Sequence, residues 1–320
     1  MKIIPSAFFL SAGLSSALLC QAAETVTIAT VNNSDMIRMQ RLSKTFEQLH
    51  PDVKLNWVVL EENVLRQRLT TDIATQGGQF DVLTIGTYET PLWGAKHWLQ
   101  PIKDLPASYD LADIFPSVRQ GLSVNDTLYA LPFYGESTLT YYRTDLFVAG
   151  SFITDKTQSK VADSVGFVAA PTQVTDKGSS WLYAWSLAIP ATSKHKEAAK
   201  AFVPWATSKE YIQLVAEKDG ITNVPPGTRM STYSDAYLQA APFASVTLKM
   251  MQHADPAHPS AQPVPYVGIQ YVTIPEFQAI GTSVGKLLSA ALTGQMPVEQ
   301  ALASAQQTTE REMKRAGYPK

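Results

Sequence analysis

Tryptophan and tyrosine gather near loops and strand ends in this chain of 320 residues: Tyr88, Trp93, Tyr134, Trp181, Tyr183, Trp185, Tyr266 and Tyr271. Flat aromatic faces suit the C–H faces of a sugar or polyol, and neighbouring carboxylates and amides can hydrogen-bond its hydroxyls. The plainer alternative is that these rings are core residues with a polar tip at the surface. Glu136 interrupts an apolar and aromatic strand pair, ALPFYGESTLTYY. A carboxylate is costly to bury there unless it is hydrogen-bonded or faces a polar cleft. Glu61, Glu62 and Glu89 fall in loops, where glutamates are commonly just solvated. His253, Asp255 and His258 lie close together in a proline-bearing loop, but without the ligand spacing of a metal motif, so no metal is expected. There is no G-x-S-x-G, and the single cysteine, Cys20, lies in the apolar leader described below, so acyl transfer has no visible constellation. A glycosidase needs two facing carboxylates, a pairing the sequence leaves open, and a secreted carbohydrate-active enzyme therefore stands as an alternative. No catalytic residue is assigned.

The elements that must position these side chains begin with VTIATV (26–31), which reads as a buried strand, followed by the helix-capping loop Asn32-Asn33-Ser34-Asp35. Met39, Leu42, Phe46 and Leu49 then recur at helical spacing until Pro51. VKLNWVVL (53–60) is strand-like, Leu65, Leu69 and Ile73 form a second helical stripe stopped at Gly77-Gly78, and FDVLTI (80–85) is a third strand. The order βαβαβ predicts an α/β fold with a parallel sheet covered on both faces. Ligands of such sheets sit beyond the carboxyl ends of the strands, which nominates the loops 32–35, 60–63 and 86–93. Asn33 belongs to the first of them, and that loop lacks a glycine-rich phosphate fingerprint, so neither a dinucleotide nor any other cofactor is expected. Farther on, 128–145 predicts two strand-like pieces around Gly135-Glu136-Ser137, and helices are expected from Lys194, from Lys209 to near Gly220, over Phe277–Ala291, and from Pro297. The proline-rich stretch 254–265 reads as an exposed loop.

The first residues have the layout of a cleaved secretory leader: Lys2, an uncharged apolar run from Ile3 to Leu19, then Cys20-Gln21-Ala22-Ala23. Cleavage is expected after Ala22 or Ala23, which places the protein in the periplasm; lipid attachment at Cys20 is the alternative, against which the bulky Leu19 argues. With 26 basic and 28 acidic residues the chain is mildly acidic, and it has no basic run with interleaved aromatics, so nucleic acid is not an expected partner. No later segment approaches the ~20 apolar residues of a membrane span.

Four blocks carry a family resemblance: FDVLTIGTYETPLWGAKHWLQPI (80–102), LPFYGESTLTYYRTDLF (131–147), GSSWLYAWSLAIPATSKHKEAAKAF (178–202) and YVGIQYVTIPEFQAIGTSVGKLLSAALTGQ (266–295). In this order they resemble the solute-binding proteins of ABC importers of the sorbitol/mannitol type, within the wider maltose-binding-like group. The resemblance implies a periplasmic-binding-protein-like fold of type II, two α/β lobes with the ligand in the cleft between them. It implies capture of a sugar alcohol or related sugar by a monomer, which delivers it to membrane permease subunits. It also implies ligand contacts from Glu136, from Tyr88, Glu89 and Trp93, from the neighbourhood of Glu61, and from Trp181, Tyr183 and Trp185; Asn33 and Tyr271 complete the candidate set.

The sequence departs from the family between Phe147 and Val148, where members carry a long stretch of the second lobe that this chain lacks, about a small domain's worth. The expected organisation is a leader at 1–23, a first lobe over 24–121, a first crossover at 122–147, and a second-lobe remnant with the second crossover at 148–185. A return to the first lobe follows at 186–230, then C-terminal helices and the rest of a reduced second lobe at 231–320. A deletion remnant without transport function is the further alternative.

Overall fold

The computed structural model describes residues 23–143, 165–171, 181–264 and 266–318. The expected leader up to Ala22, next to which cleavage is expected after Ala22 or Ala23, and the Phe147/Val148 junction lie outside the described residues.

The first half is built as the strand and helix pattern predicts. Strand β1 (Glu24–Val31) leads to α1 (Ser34–Leu42) and α2 (Lys44–Leu49), then β2 (Val53–Leu60), α3 (Glu62–Ala74), β3 (Val82–Gly86) and α4 (Glu89–Gly94). The helical stripe up to Leu49 is divided at Ser43, whose hydroxyl donates to the Gln40 carbonyl. Asn33 caps α1 by accepting from the Met36 N–H at 2.9 Å, one of the free donors every helix start presents. After α5 (Pro116–Gly121) come a short hairpin, β4 (Ser123–Val124) and β5 (Thr127–Leu128), and the strands β6 (Ala130–Ser137), β7 (Leu139–Arg143), β8 (Val165–Ala169) and β9 (Leu182–Ala188). Strand β6 runs through Gly135-Glu136-Ser137 instead of breaking there, and Thr138 separates it from β7. Helices α6 (Lys196–Ala206), α7 (Lys209–Asp219), α8 (Asp235–Ala240), α9 (Ala244–His253), α10 (Phe277–Leu292) and α11 (Val298–Arg315) complete the chain.

The main sheet has the order β2-β1-β3-β9-β6. Its first three strands are parallel, but β9 is antiparallel to both β3 and β6, which corrects the expectation of a wholly parallel sheet. The consequence is functional. Because β9 runs backwards, its amino-terminal end lies at the edge where β1, β2, β3 and β6 end, so Tyr183 and Trp185 reach the same rim as Glu136. One core runs through this sheet and its helices, from Val26 to Met251. Among the described residues, β7 and β8 form a separate two-stranded sheet, and α10 and α11 form a hairpin in which Ile280, Ala301 and Ala305 are the buried residues. No helix among the described residues is long and apolar enough to cross a membrane.

Candidate functional site

The carboxyl-terminal rim of the sheet carries a cluster of carboxylates and aromatic rings around one buried cation. Glu136, the penultimate residue of β6, accepts a hydrogen bond from Trp185 Nε1 at 3.0 Å and one from Gln270 Nε2 at 3.4 Å. Burial pushes its carboxyl above the ordinary value of 4.5, the Glu62 charge adds to the rise, and the two hydrogen bonds and Arg66 oppose it. Beside it, Tyr134 Oη accepts from Asn33 Nδ2 at 3.0 Å, which ties β6 to the start of α1. The Tyr134 and Trp185 rings stand 6.4 Å apart and line the same side.

The cation is Arg66, on the face of α3 that packs against the sheet. Its Nε donates to Glu62 Oε1 at 2.9 Å, its Nη1 to Glu89, and its Nη2 to Tyr183 Oη at 3.1 Å. The guanidinium lies 4.8 Å from the Trp185 ring centre and 4.9 Å from that of Tyr271. Burial works against its charge, but Glu89 foremost and the surrounding tyrosines hold the proton on it. Gly86 is required here, because a Cβ at that position would collide with the Tyr183 side chain. The segment before α10 closes over the cluster: Tyr271 Oη donates to Glu62 Oε1 at 3.2 Å, and Tyr88 Oη donates to the Ile274 carbonyl at 2.8 Å. The Tyr271 phenol is pushed up to about 12, chiefly by burial.

The structure therefore brings together Asn33, Tyr88, Glu89, Glu136, Tyr183, Trp185 and Tyr271. Three other candidates lie apart from the centre. Glu61 is exposed at the start of α3, where it accepts from Asn32 Nδ2 at 3.3 Å; Trp181 is half-buried just before β9; Trp93 is buried in the core. Glu89, read as a solvated loop glutamate from residue type alone, is buried, with Oε1 on Arg66 and Oε2 accepting the Gly86 N–H at 3.0 Å. Arg66 and Gln270 are not among the residues expected from the sequence, and Glu62 is expected there only as a solvated loop glutamate. The available signal was Glu62 one helical turn before Arg66, beside the apolar stripe of Leu65 and Leu69.

Among the described residues, what this rim offers chemically is carboxylate acceptors with lone pairs to spare beside largely buried aromatic rings, without a nucleophile beside a base. Residues 33–149 and 148–213 match the family model of bacterial extracellular solute-binding proteins. The chain is also 53% identical over 426 aligned positions to a mannitol-binding protein of Pseudomonas aeruginosa, an alignment covering 97% of this chain and 98% of that one. The chain belongs to the extracellular solute-binding protein family. Among solved structures, this solute-binding protein is similar to one from Agrobacterium vitis with bound D-mannitol, at 43% identity and a TM-score of 0.84, over 93% of this chain and 100% of the other. A ribitol complex of a binding protein from Agrobacterium radiobacter shares the fold at 17% identity and a TM-score of 0.72, over 91% of this chain and 99% of that one. The fold is that of the two-lobed periplasmic solute-binding proteins. The alignment of 426 positions on a chain of 320 residues leaves roughly a hundred positions of the Pseudomonas relative without a counterpart. The two pieces of the family match meet at 148 and 149, beside the junction expected from the sequence.

Proposed function

We propose that this protein captures a sugar alcohol of the mannitol type in the periplasm and hands it, as a monomer, to the permease of an ABC importer. It arrives there by way of a cleaved leader and performs no catalysis. The supporting observation is the hydrogen bond from Trp185 to Glu136 at the sheet rim, with the Tyr134 ring beside Trp185, in a chain whose relatives are named for or solved with mannitol. Polyol hydroxyls would donate to Glu136 and to Glu62, whose side chain is 43% exposed, while the carbon chain lies along the rings. In this reading residues 24–121 and 186–230 form the first lobe, and ligand bridging to the second lobe shifts the population towards a closed form.

Calorimetry with mannitol, sorbitol, ribitol and maltose tests the proposal. Saturable binding of an open-chain polyol, tighter than that of maltose, is the expected result. Absence of saturable heat with all four, up to roughly millimolar ligand, would overturn it. A Glu136→Gln variant keeps the shape and loses the charge. Hydrogen bonds to a charged group contribute about 1.5–3 kcal/mol, so mannitol affinity should fall about tenfold or more. Unchanged affinity would remove Glu136 from the site.

A further inference from the structure

Two neighbouring side chains of this protein already make the contacts proposed for a polyol. Gln270 Nε2 donates to Glu136 Oε2 at 3.4 Å, and Tyr271 Oη donates to Glu62 Oε1 at 3.2 Å. An ionised carboxylate only accepts, so a ligand hydroxyl must approach these groups as a donor too. The chain thus fills an acceptor position on each of the two carboxylates with its own amide and phenol. A clasp closing over a ligand would touch the ligand's outer side, whereas these donors touch the carboxylate oxygens themselves.

The segment that carries them is tied down at both ends and lightly packed between. Gly268 accepts from the Leu182 N–H at 3.2 Å and donates to the Pro256 carbonyl at 2.7 Å, and the Ile274 carbonyl accepts from Tyr88 Oη at 2.8 Å. Residues 269–273 stand between those anchors. From Tyr266 to Glu276 only Gly268 is buried, and Gln270 and Val272 are exposed. The apolar hold comes from Ile269 and from the Tyr271 ring, which lies 5.1 Å from the Tyr88 ring and 4.9 Å from the Arg66 guanidinium. Little apolar surface has to be uncovered to move such a bridge, so its polar contacts weigh heavily in keeping it down.

We propose that residues 266–276 are a strap that occupies the sugar-alcohol site from within: Gln270 and Tyr271 compete with the ligand for Glu136 and Glu62, and both must leave before a polyol engages the two carboxylates. The inference rests on the polyol reading above and adds a regulation to it. Because the competitor is part of the chain, its effective concentration is fixed, and diluting the protein does not relieve it. Apparent affinity is then the intrinsic affinity reduced by the fraction of molecules in which the strap is off the carboxylates. The device also favours one class of ligand. A molecule with a single hydroxyl replaces at most one of the two donors, whereas an open-chain polyol carries hydroxyls on successive carbons and can replace both.

The experiment measures mannitol affinity by calorimetry for the wild type, Gln270→Ala, Tyr271→Phe and the double variant. Tyr271→Phe keeps the ring against Tyr88 and Arg66 and removes only the donor. Affinity should rise about threefold to tenfold in the double variant, the effect of losing hydrogen bonds of ordinary net strength that hold the strap down. Each single variant should contribute part of that gain. Loss of a ligand contact or of a structural support lowers affinity, whereas loss of a competitor raises it. A double variant that binds mannitol no more tightly than the wild type would therefore overturn the strap and leave the polyol reading standing. If neither protein binds, the polyol reading has failed, and the strap as its regulator fails with it. Hydrogen exchange on the wild type gives a second measurement that needs no variant. Saturating mannitol should speed the exchange of amides in 266–276, because the strap is displaced. Slower exchange there would mean that the segment clasps the ligand, and it would overturn the proposal even if the variants misfold.

Discussion

Replacing Phe202 by alanine should lower the unfolding free energy by about 3–5 kcal/mol, the usual cost of a large cavity in a core. Phe202 is fully buried on α6, the helix that follows β9. Its ring meets Phe46 of α2 edge-on at 5.2 Å, Trp57 of β2 at 5.9 Å, and Trp205 one turn further along its own helix at 6.0 Å. These contacts join residues from before and after the Phe147/Val148 junction, so Phe202 reports whether the returning chain closes the core of the main sheet. Aromatic neighbours cannot collapse far into the space a phenyl leaves, which puts the cost in the upper part of the range for core substitutions. Denaturant titration of wild type and variant gives the number. A loss under about 1 kcal/mol would mean that α6 is not locked onto the sheet and that the chain after the junction folds separately.

The parts of this fold legible in the sequence are those whose periodicity is local. VTIATV and FDVLTI are short runs dominated by apolar residues, and the strands they form are largely or wholly buried; Ala198 and Phe202 mark the buried face of α6. Strand direction is different. Leu182–Ala188 is buried at every position, and such a run reads the same whether it lies parallel or antiparallel to its neighbours. The reversal of β9 was invisible for that reason, and with it the geometric cause of Tyr183 and Trp185 sharing a rim with Glu136. Glu136 could be singled out because a carboxylate in an apolar strand demands a partner, and Trp185 Nε1 supplies one. Glu89 follows the same rule, but its demand was hidden: in TIGTYETP it looks like a loop residue, and only the fold places Arg66 and the Gly86 N–H against it. Arg66 could have been suspected from Glu62 one turn before it, yet the same spacing is commonplace on solvated helices. Its significance comes from long-range contacts with Tyr183 and Tyr271, which no local pattern encodes.

The largest contrast should appear in native-state hydrogen exchange. Amides of β1, β3 and β9 should exchange by global unfolding, and at the ordinary domain stability of about 5–15 kcal/mol that is protection of roughly ten-thousand-fold or more. Those strands lie in the middle of the main sheet, with β3 and β9 buried at every residue. Helices α10 and α11 are differently placed. They span 16 and 18 residues, and among them only Ile280, Ala301 and Ala305 are buried. Leu292 is 90% exposed, and Val298 and Leu302 at the same end of the hairpin are more than half exposed. The apolar face expected from the sequence, Phe277, Ile280, Val284, Leu287 and Ala291, is real as a pattern, but beyond Ile280 its residues are only half-buried. A helix draws most of its stability from packing such a face, and helices of this length are marginal without it. The Pseudomonas relative has roughly a hundred positions that this chain lacks, enough for a sheet such a face could cover. Amides of α10 beyond its first turns and of α11 should therefore open locally and exchange within about a hundredfold of unfolded rates. Exchange of both regions at one common, slow rate would sink this expectation, because it would require the hairpin to be part of the same cooperative core as the sheet.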